Sequence, residues 1–345
     1  MAATEALVVR EVPFAAGDGF ACNVINVRRP GVTPSRGPVL LVHGAGVRAN
    51  IFRAPVAVTL VDYLVDRQYD VWLENWRASI DLPPSEWTLD DAAVHDHPAA
   101  VRTVVRETGA STIKAVIHCQ GSTSFMMSAA AGLLPQVDRI VTNAVSLHTV
   151  VPSLAALKLR FAIPPVGAIT KFLNPQWGLD SPDLKAKLIT AVVRATHHEC
   201  GNIVCKYASF TYGVGFPTLW RHENLSAETH EWVKGEFANV PLTFFRQMSR
   251  CVAAGHLVAA RSYSSLPADF VAREPQTNAR VAFFAGELNR CFLAESQRRT
   301  HAFFSTFRPN YHSLDVIPGY GHLDVFMGSR AAADVFPLMA AELEH

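Results

Sequence analysis

The sequence predicts an α/β fold with a mostly parallel central sheet and a helical cap inserted into it. Three observations carry that expectation. Short buried-strand runs alternate with helical stretches over residues 39–145 and again from 280 to the end, which is the texture of βαβ units. Between them, residues 150–275 hold no clear buried strand and are dense in helix-compatible, aromatic-rich segments broken by Pro and Gly. The 345 residues also exceed the roughly 250–300 that one core holds, so a core with an insertion is expected. The predicted division is a first core part over 1–148, a helical cap over 149–276 and a second core part over 277–345.

Composition narrows the function. Hydrophobic residues make up 49% and charged residues 18%, which suits a large interior or an apolar pocket and argues against disorder. A net charge of +1 gives no electrostatic footprint for nucleic acid or an acidic membrane surface. No apolar run approaches the ~20 residues needed to span a bilayer. Residues 1–10 lack the basic and apolar regions of a signal peptide. A cytoplasmic address is expected, and the six cysteines (Cys22, Cys119, Cys200, Cys205, Cys251 and Cys291) read as free thiols.

In chain order, the alternating runs 6–9 and 22–27 flank Ala16-Gly17-Asp18-Gly19 and predict a β-hairpin. Residues 39–42 form a buried strand ending in His43-Gly44-Ala45-Gly46. Glycine there lets a backbone N–H approach a substrate carbonyl, although the same letters suit an ordinary Gly-rich turn. Residues 57–66 read as a helix and 69–73 as the next strand. A helix start at 87–91 leads, with a break at Pro98, to a stop at Gly109. The β-branched run Ile113, Val116, Ile117 then turns abruptly at His118-Cys119-Gln120-Gly121 into a helix of small residues and Met. Residues 139–145 give another central strand. Helices are expected over 153–161, 181–196 and 227–237. The pattern closes with a strand at 280–286, a helix at 294–304, a strand at 313–317, the loop 318–324 and a helix at 330–343.

Strand, sharp turn and helix with a nucleophile at the apex is the elbow of acyl-transfer enzymes, normally Gly-x-Ser-x-Gly. Here Ile117 replaces the first glycine, Cys119 is the apex and Gly121 the second glycine. Acyl transfer also needs a base, a group that orients it, and donors for the oxyanion. His322, in Gly-Tyr-Gly-His after the last strand, is the candidate base, and Glu287 or Asn289 the orienting group. His43, His118, His148 and the His197-His198 pair have ordinary structural explanations.

The chain resembles an α/β-hydrolase of the acid-lipase-like type, the group of the gastric and lysosomal lipases. It is also similar to the hydrolase-like modules beside bacterial cholesterol-oxidase-type flavoproteins. Val39-Leu-Leu-Val-His-Gly, Tyr69-Asp-Val-Trp-Leu, Trp87-Thr-Leu-Asp-Asp…Asp96-His-Pro-Ala, His118-Cys-Gln-Gly and Gly321-His-Leu-Asp-Val-Phe match its landmarks in order. The resemblance covers nearly the whole chain and is weakest in the cap. It implies Cys119 as nucleophile, His322 as base and an oxyanion hole from the backbone N–H groups of Ala45 and Gln120. His43, Gly44 and Gly121 would form the supporting turns. Two residues depart from the family: cysteine replaces serine, and the family's Gly-x-x-Asp falls on Gly286-Glu287-Leu288-Asn289, so Asn289 stands where aspartate is usual. An asparagine oxygen can accept the imidazole N–H, and a thiol, ionising near pH ~8.5, needs less help than a hydroxyl. Glu287 is the alternative, its longer arm reaching from a neighbouring position.

A cysteine nucleophile leaves more easily than an alkoxide, so activated acyl groups suit it: thioesters, lactones, activated esters, or transfer onto an amine or alcohol. The expected function is a cysteine-nucleophile acyl hydrolase or acyltransferase with an apolar substrate, lipid-like or carrier-bound. The alternatives are a catalytically silent binder of an apolar ligand and a lipase-like carboxylesterase. No nucleotide motif is present and no cofactor is expected. The run His197-His198-Glu199-Cys200…Cys205 offers metal-ligand types, but without a second cluster it fits no zinc template, so no metal is expected.

Overall fold

The computed structural model describes residues 6–345; the first five residues of the N-terminal stretch lie outside it. Its strands are β1 (Val8–Ala15), β2 (Ala21–Arg28), β3 (Pro38–Val42), β4 (Asp70–Asn75), β5 (Ile113–His118), β6 (Val137–Asn143), β7 (Phe172–Leu173), β8 (Val240–Pro241), β9 (Arg280–Gly286) and β10 (Ser313–Ile317). Eight of them form one sheet in the order β1-β2-β4-β3-β5-β6-β9-β10. From β4 to β10 every pairing is parallel, and β2 runs antiparallel to both its neighbours. The expected fold class is the observed one. Parallel strands covered by helices on both faces are buried throughout rather than on alternate residues; all five residues of β3 and all six of β4 are buried.

At two helix starts that differ from the expected ones, a cap explains the difference. The helix expected from 57 begins at Leu60 because Thr59 and Asp62 form a capping box. The one expected from 181 begins at Leu184, where Asp183 accepts from the N–H of Ala186. The break expected at Pro98 takes the form of a π-helical turn, Ala92–Asp96, immediately before the His97–Thr108 helix. Proline has no N–H to donate back along the helix, and the wider turn accommodates that. The acidic landmarks of this region are scaffolding. Asp90 accepts from the N–H of Ala260 at 2.9 Å, and Asp96 holds the Arg77 guanidinium at 2.6–2.9 Å.

Between β6 and β9 the chain is helical, with helices Ser153–Phe161, Leu184–Thr196, Ile203–Tyr212 and Leu242–Ala254 among others. It also contains the two-stranded ribbon β7–β8. The ribbon was not expected, because two residues a side leave no periodicity to read.

The carboxyl ends of β3 and β5 meet at the limit of contact. Gly121 lies in the first turn of the Cys119–Ala130 helix, where a Cβ would stand 2.1 Å from the His43 carbonyl oxygen and 2.9 Å from Val42 Cγ1. Gly44 faces back, its would-be Cβ 2.9 Å from Cys119 Cβ. Only glycine at both places lets the two turns interlock. Gly121→Ala should therefore lower stability by about 1–3 kcal/mol through overpacking, outweighing alanine's better helix propensity. The urea midpoint measures this; an unchanged midpoint would contradict the close approach.

Candidate active site

Cys119 begins its helix with φ +55°, the left-handed region that side chains rarely occupy. Strain of this kind is characteristic of a nucleophile elbow, where it lifts the side chain off the end of the strand. The backbone N–H groups of Gln120 and Ala45 are directed at the sulfur. The two residues expected to supply an oxyanion hole thus converge on Cys119, one from the β3 turn and one from the helix N-terminus. Burial outweighs these donors and pushes the thiol up to about 12.

His322 follows β10 in a turn held by Asp324, whose carboxylate accepts from the N–H of Gly321 at 3.0 Å and from Asn224 at 2.6 Å. One ring nitrogen of His322, one of His118 and the Cys119 sulfur all lie within 4.8 Å of one another. His322 Nε2 is buried without a hydrogen-bond partner among the described residues, and burial lowers its pKa to about 3. In the resting site both the thiol and the imidazole are therefore neutral.

Asn289 does meet His322, but with the opposite polarity to the expected one. Its Oδ1 accepts from the N–H groups of Cys291 at 3.0 Å and Phe292 at 3.1 Å, which fixes the amide orientation. Its Nδ2 therefore faces His322 Nδ1 at 3.0 Å as a donor. The ring must accept there, so its hydrogen sits on Nε2, the nitrogen left to the cysteine. The expectation that Asn289 accepts the imidazole N–H is corrected on this point. Glu287 is corrected too. Its side chain is exposed and accepts from the N–H of Gly319 at 3.4 Å, away from His322. It follows the strand end on the solvent side, and length does not bring it round.

The supporting turns are knitted tightly. The His43 carbonyl accepts from Trp76 Nε1 at 2.9 Å, and the His43 ring bonds the Gly44 carbonyl at 2.7 Å. His118 packs against His322 with ring centroids 4.7 Å apart, and its Nδ1 meets Asn143 Nδ2 at 2.9 Å. Tyr212 of the helical insertion donates its hydroxyl to the Ala45 carbonyl at 2.8 Å. Neither Asn143 nor Tyr212 was singled out from the sequence. A second Ser–His–carboxylate arrangement, in which His97 meets Ser124 Oγ at 2.7 Å and Glu74 Oε1 at 2.9 Å, is wholly buried and out of reach of any substrate.

A small cavity of about 40 Å³ lies over Cys119 and Gln120. Its walls are mostly apolar: Ala155 and Leu159 from one helix of the insertion, and Phe244, Phe245 and Met248 from another. Lys158 also lines it, its ammonium bonded to the carbonyls of Phe210 and Gly213 and its pKa lowered to about 8 by burial. Sequence reasoning passed over Lys158, because nothing in a helix of the insertion marks which face turns inward.

Two pH responses follow. Alkylation of Cys119 should accelerate about tenfold per pH unit from pH 6 to 9, since only the scarce thiolate reacts. A rate plateau near neutrality would instead reveal a thiolate–imidazolium pair. His43 and His322, each held at about 3, and His118, held well below its usual range, are neutral when folded. Once unfolded, each takes up a proton below pH about 6.5. Stability should be complete above that pH and fall as the pH drops towards 3, by up to about 1.4 kcal/mol per unit for each histidine. Urea midpoints measured between pH 7 and 4 read this, and a flat profile would contradict it.

No protein-family model matches the chain. Over 122 residues it is 28% identical to human (Homo sapiens) lipase member K, a stretch that is 31% of this chain and 31% of that protein. Among solved structures, it superposes on a lipase in its open form with TM-score 0.59, at 15% identity over 98% of each chain. It superposes on the monoacylglycerol lipase of Paleococcus ferrophilus with TM-score 0.59, at 12% identity over 97% of this chain and 98% of that one. For DcsB in complex with its substrate analogue the TM-score is 0.60, at 13% identity over 98% and 99%. Likeness at such identities is a likeness of fold. With the sheet order, the elbow between β5 and its helix, and the histidine turn after β10, it leads to one conclusion: this chain has the α/β-hydrolase fold.

Proposed function

We propose that the protein is an enzyme that takes an activated acyl group with an apolar body onto Cys119 and passes it to water or to an amine or alcohol. The observation that carries this reading is the aim of two backbone N–H groups, from Ala45 and Gln120, at the sulfur of a residue held at positive φ. Donors so placed serve the oxygen of a tetrahedral intermediate formed at that atom. The apolar cavity above the sulfur supports an apolar acyl group. So do Leu154, Leu157 and Phe161, exposed on the same helix that contributes Ala155 and Leu159.

In the proposed cycle the thiol proton passes to His322 Nε2, the sulfur–carbon bond forms, and the carbonyl oxygen gains its charge between the two N–H groups. The intermediate then collapses, expelling the leaving group with the proton from His322. Water or another acceptor attacks the thioester in the same way and frees the thiol. His322 can receive a proton on Nε2 only after its own hydrogen moves to Nδ1. That requires Asn289 to turn its oxygen towards the ring, giving up the N–H groups of Cys291 and Phe292. A site with so weak a base suits thioesters, lactones and activated esters, whose leaving groups need little help.

The orientation of Asn289 also favours a second reading, a protein that binds an apolar ligand without turning it over. One pair of variants separates the two. Incubation with acyl thioesters and activated esters followed by intact mass should reveal an acyl adduct that Cys119→Ala abolishes. Asn289→Asp can accept from Cys291, Phe292 and His322 Nδ1 together. It should raise the acylation rate by about 10–1,000-fold, within the ~10⁴-fold that a wrong tautomer costs in the Ser-His-Asp case. If no adduct forms with any donor in either the native chain or Asn289→Asp, the enzymatic reading is wrong.

A further inference from the structure

Away from the reacting centre, the helical insertion gathers four ligand-bearing side chains from separate points in the chain. Cys200 precedes the Ile203–Tyr212 helix and Cys205 lies in its first turn. His222 opens the short turn His222–Asn224, and His230 lies in the Ala227–Trp232 helix. One ligand atom from each, two sulfurs and two ring nitrogens, all lie within 4.8 Å of one another. Cys205 Sγ stands 3.4 Å from His222 Nε2, and Cys200 Sγ stands 3.5 Å from His230 Nε2. In a tetrahedral zinc site with Zn–S about 2.3 Å and Zn–N about 2.0–2.1 Å, each sulfur–nitrogen edge is about 3.5 Å. The observed edges match that figure.

The surroundings are organised as a ligand shell would be. The backbone N–H of Asn202 donates to Cys200 Sγ at 3.2 Å, a contact that stabilises a thiolate. The Asn202 side chain caps the helix at the N–H groups of Val204 and Cys205 and donates to the His230 carbonyl at 2.6 Å. One residue thus positions three of the four ligands. Both cysteines are free thiols. A disulfide between them would leave two imidazoles converging on nothing.

We propose that Cys200, Cys205, His222 and His230 bind one zinc ion that ties the Ile203–Tyr212 helix to the Ala227–Trp232 helix. Two thiolates and two imidazoles in a closed tetrahedron are the donor set of a structural zinc site, and binding releases the two thiol protons. The second ligand pair, which the sequence reading did not find, comes from elsewhere in the insertion. His197, His198 and Glu199 take no part, and the partners are two histidines eight residues apart on different elements, outside the usual His-x₃₋₅-His spacing.

The test is metal content of the full chain, purified under reducing conditions from zinc-supplemented cells and dialysed. One zinc per chain is expected by mass spectrometry of the metal. After chelation, cobalt(II) should restore the visible bands of a tetrahedral site and a thiolate-to-cobalt charge-transfer band. Cys200→Ser and His230→Gln, both at half-buried positions, should lose the metal and both spectral features. Cys119→Ala should keep them, which excludes binding at the cysteine–histidine pair of the active site. Circular dichroism reports whether each variant is folded. If both variants fail to fold, cobalt titration of the native chain after chelation decides, with the charge-transfer band retained in Cys119→Ala as support. The proposal is overturned by a folded native chain that holds no zinc and gives no cobalt spectrum. It is equally overturned by full metal content in folded Cys200→Ser and His230→Gln, or by a Cys200–Cys205 disulfide persisting in the reduced preparation.

Discussion

The molecule depends on how closely two neighbouring strand ends can approach. β3 and β5 are adjacent and parallel, so the turns that leave them compete for one small volume at the carboxyl edge of the sheet. Glycine at positions 44 and 121 resolves the competition by letting backbone lie on backbone. Everything else at the site refers to that contact. The His43 carbonyl, pinned by Trp76, is the surface against which the first turn of the helix rests. The Ala45 N–H owes its direction to the same turn, and Cys119 owes its strained conformation to the abrupt start of the helix. Moving either turn by a fraction of an ångström would separate the sulfur from its donors.

Electrostatically, the centre is built to stay uncharged. Among the described residues no acidic side chain hydrogen-bonds His322, and the nearby histidines, His43 and His118, are as deeply buried as it is. An ion pair would have to be sustained by backbone dipoles alone, against the cost of desolvating both partners. Asn289 reinforces this by donating to the ring, which opposes a hydrogen on Nδ1 and so opposes the imidazolium. A carboxylate at the same position would favour the charged ring.

Much of this was legible in the chain. The β-branched runs, the His43-Gly44-Ala45-Gly46 turn, the elbow letters and the last histidine each depend on residues adjacent in sequence, and each stands where its local pattern put it. What failed depended on distant backbone. Asn289 could be read as an acceptor because its side chain offers both polarities, and only the N–H groups of Cys291 and Phe292 decide between them. Glu287 looked long enough to serve, but side-chain length says nothing of the direction in which a strand end releases it. Lys158 and Tyr212 were hidden by the insertion, whose helices pack by contacts that no short motif encodes. Cys205 and His222 are seventeen positions apart on different elements, and their meeting is a product of tertiary packing alone.

The hydroxyl of Tyr212 gives the insertion a mechanical role. A ten-residue helix is about 15 Å long and stiff along its axis. This one starts beside Cys200 and Cys205 and ends with a phenol bonded to the carbonyl of Ala45. It works as a push-rod between a remote corner of the insertion and the peptide whose neighbouring N–H faces the sulfur. An axial slip of one ångström at its far end would be delivered almost undiminished to Ala45. The placement of the Ala45 N–H at the Cys119 sulfur is therefore set partly by how firmly that distant end is clamped.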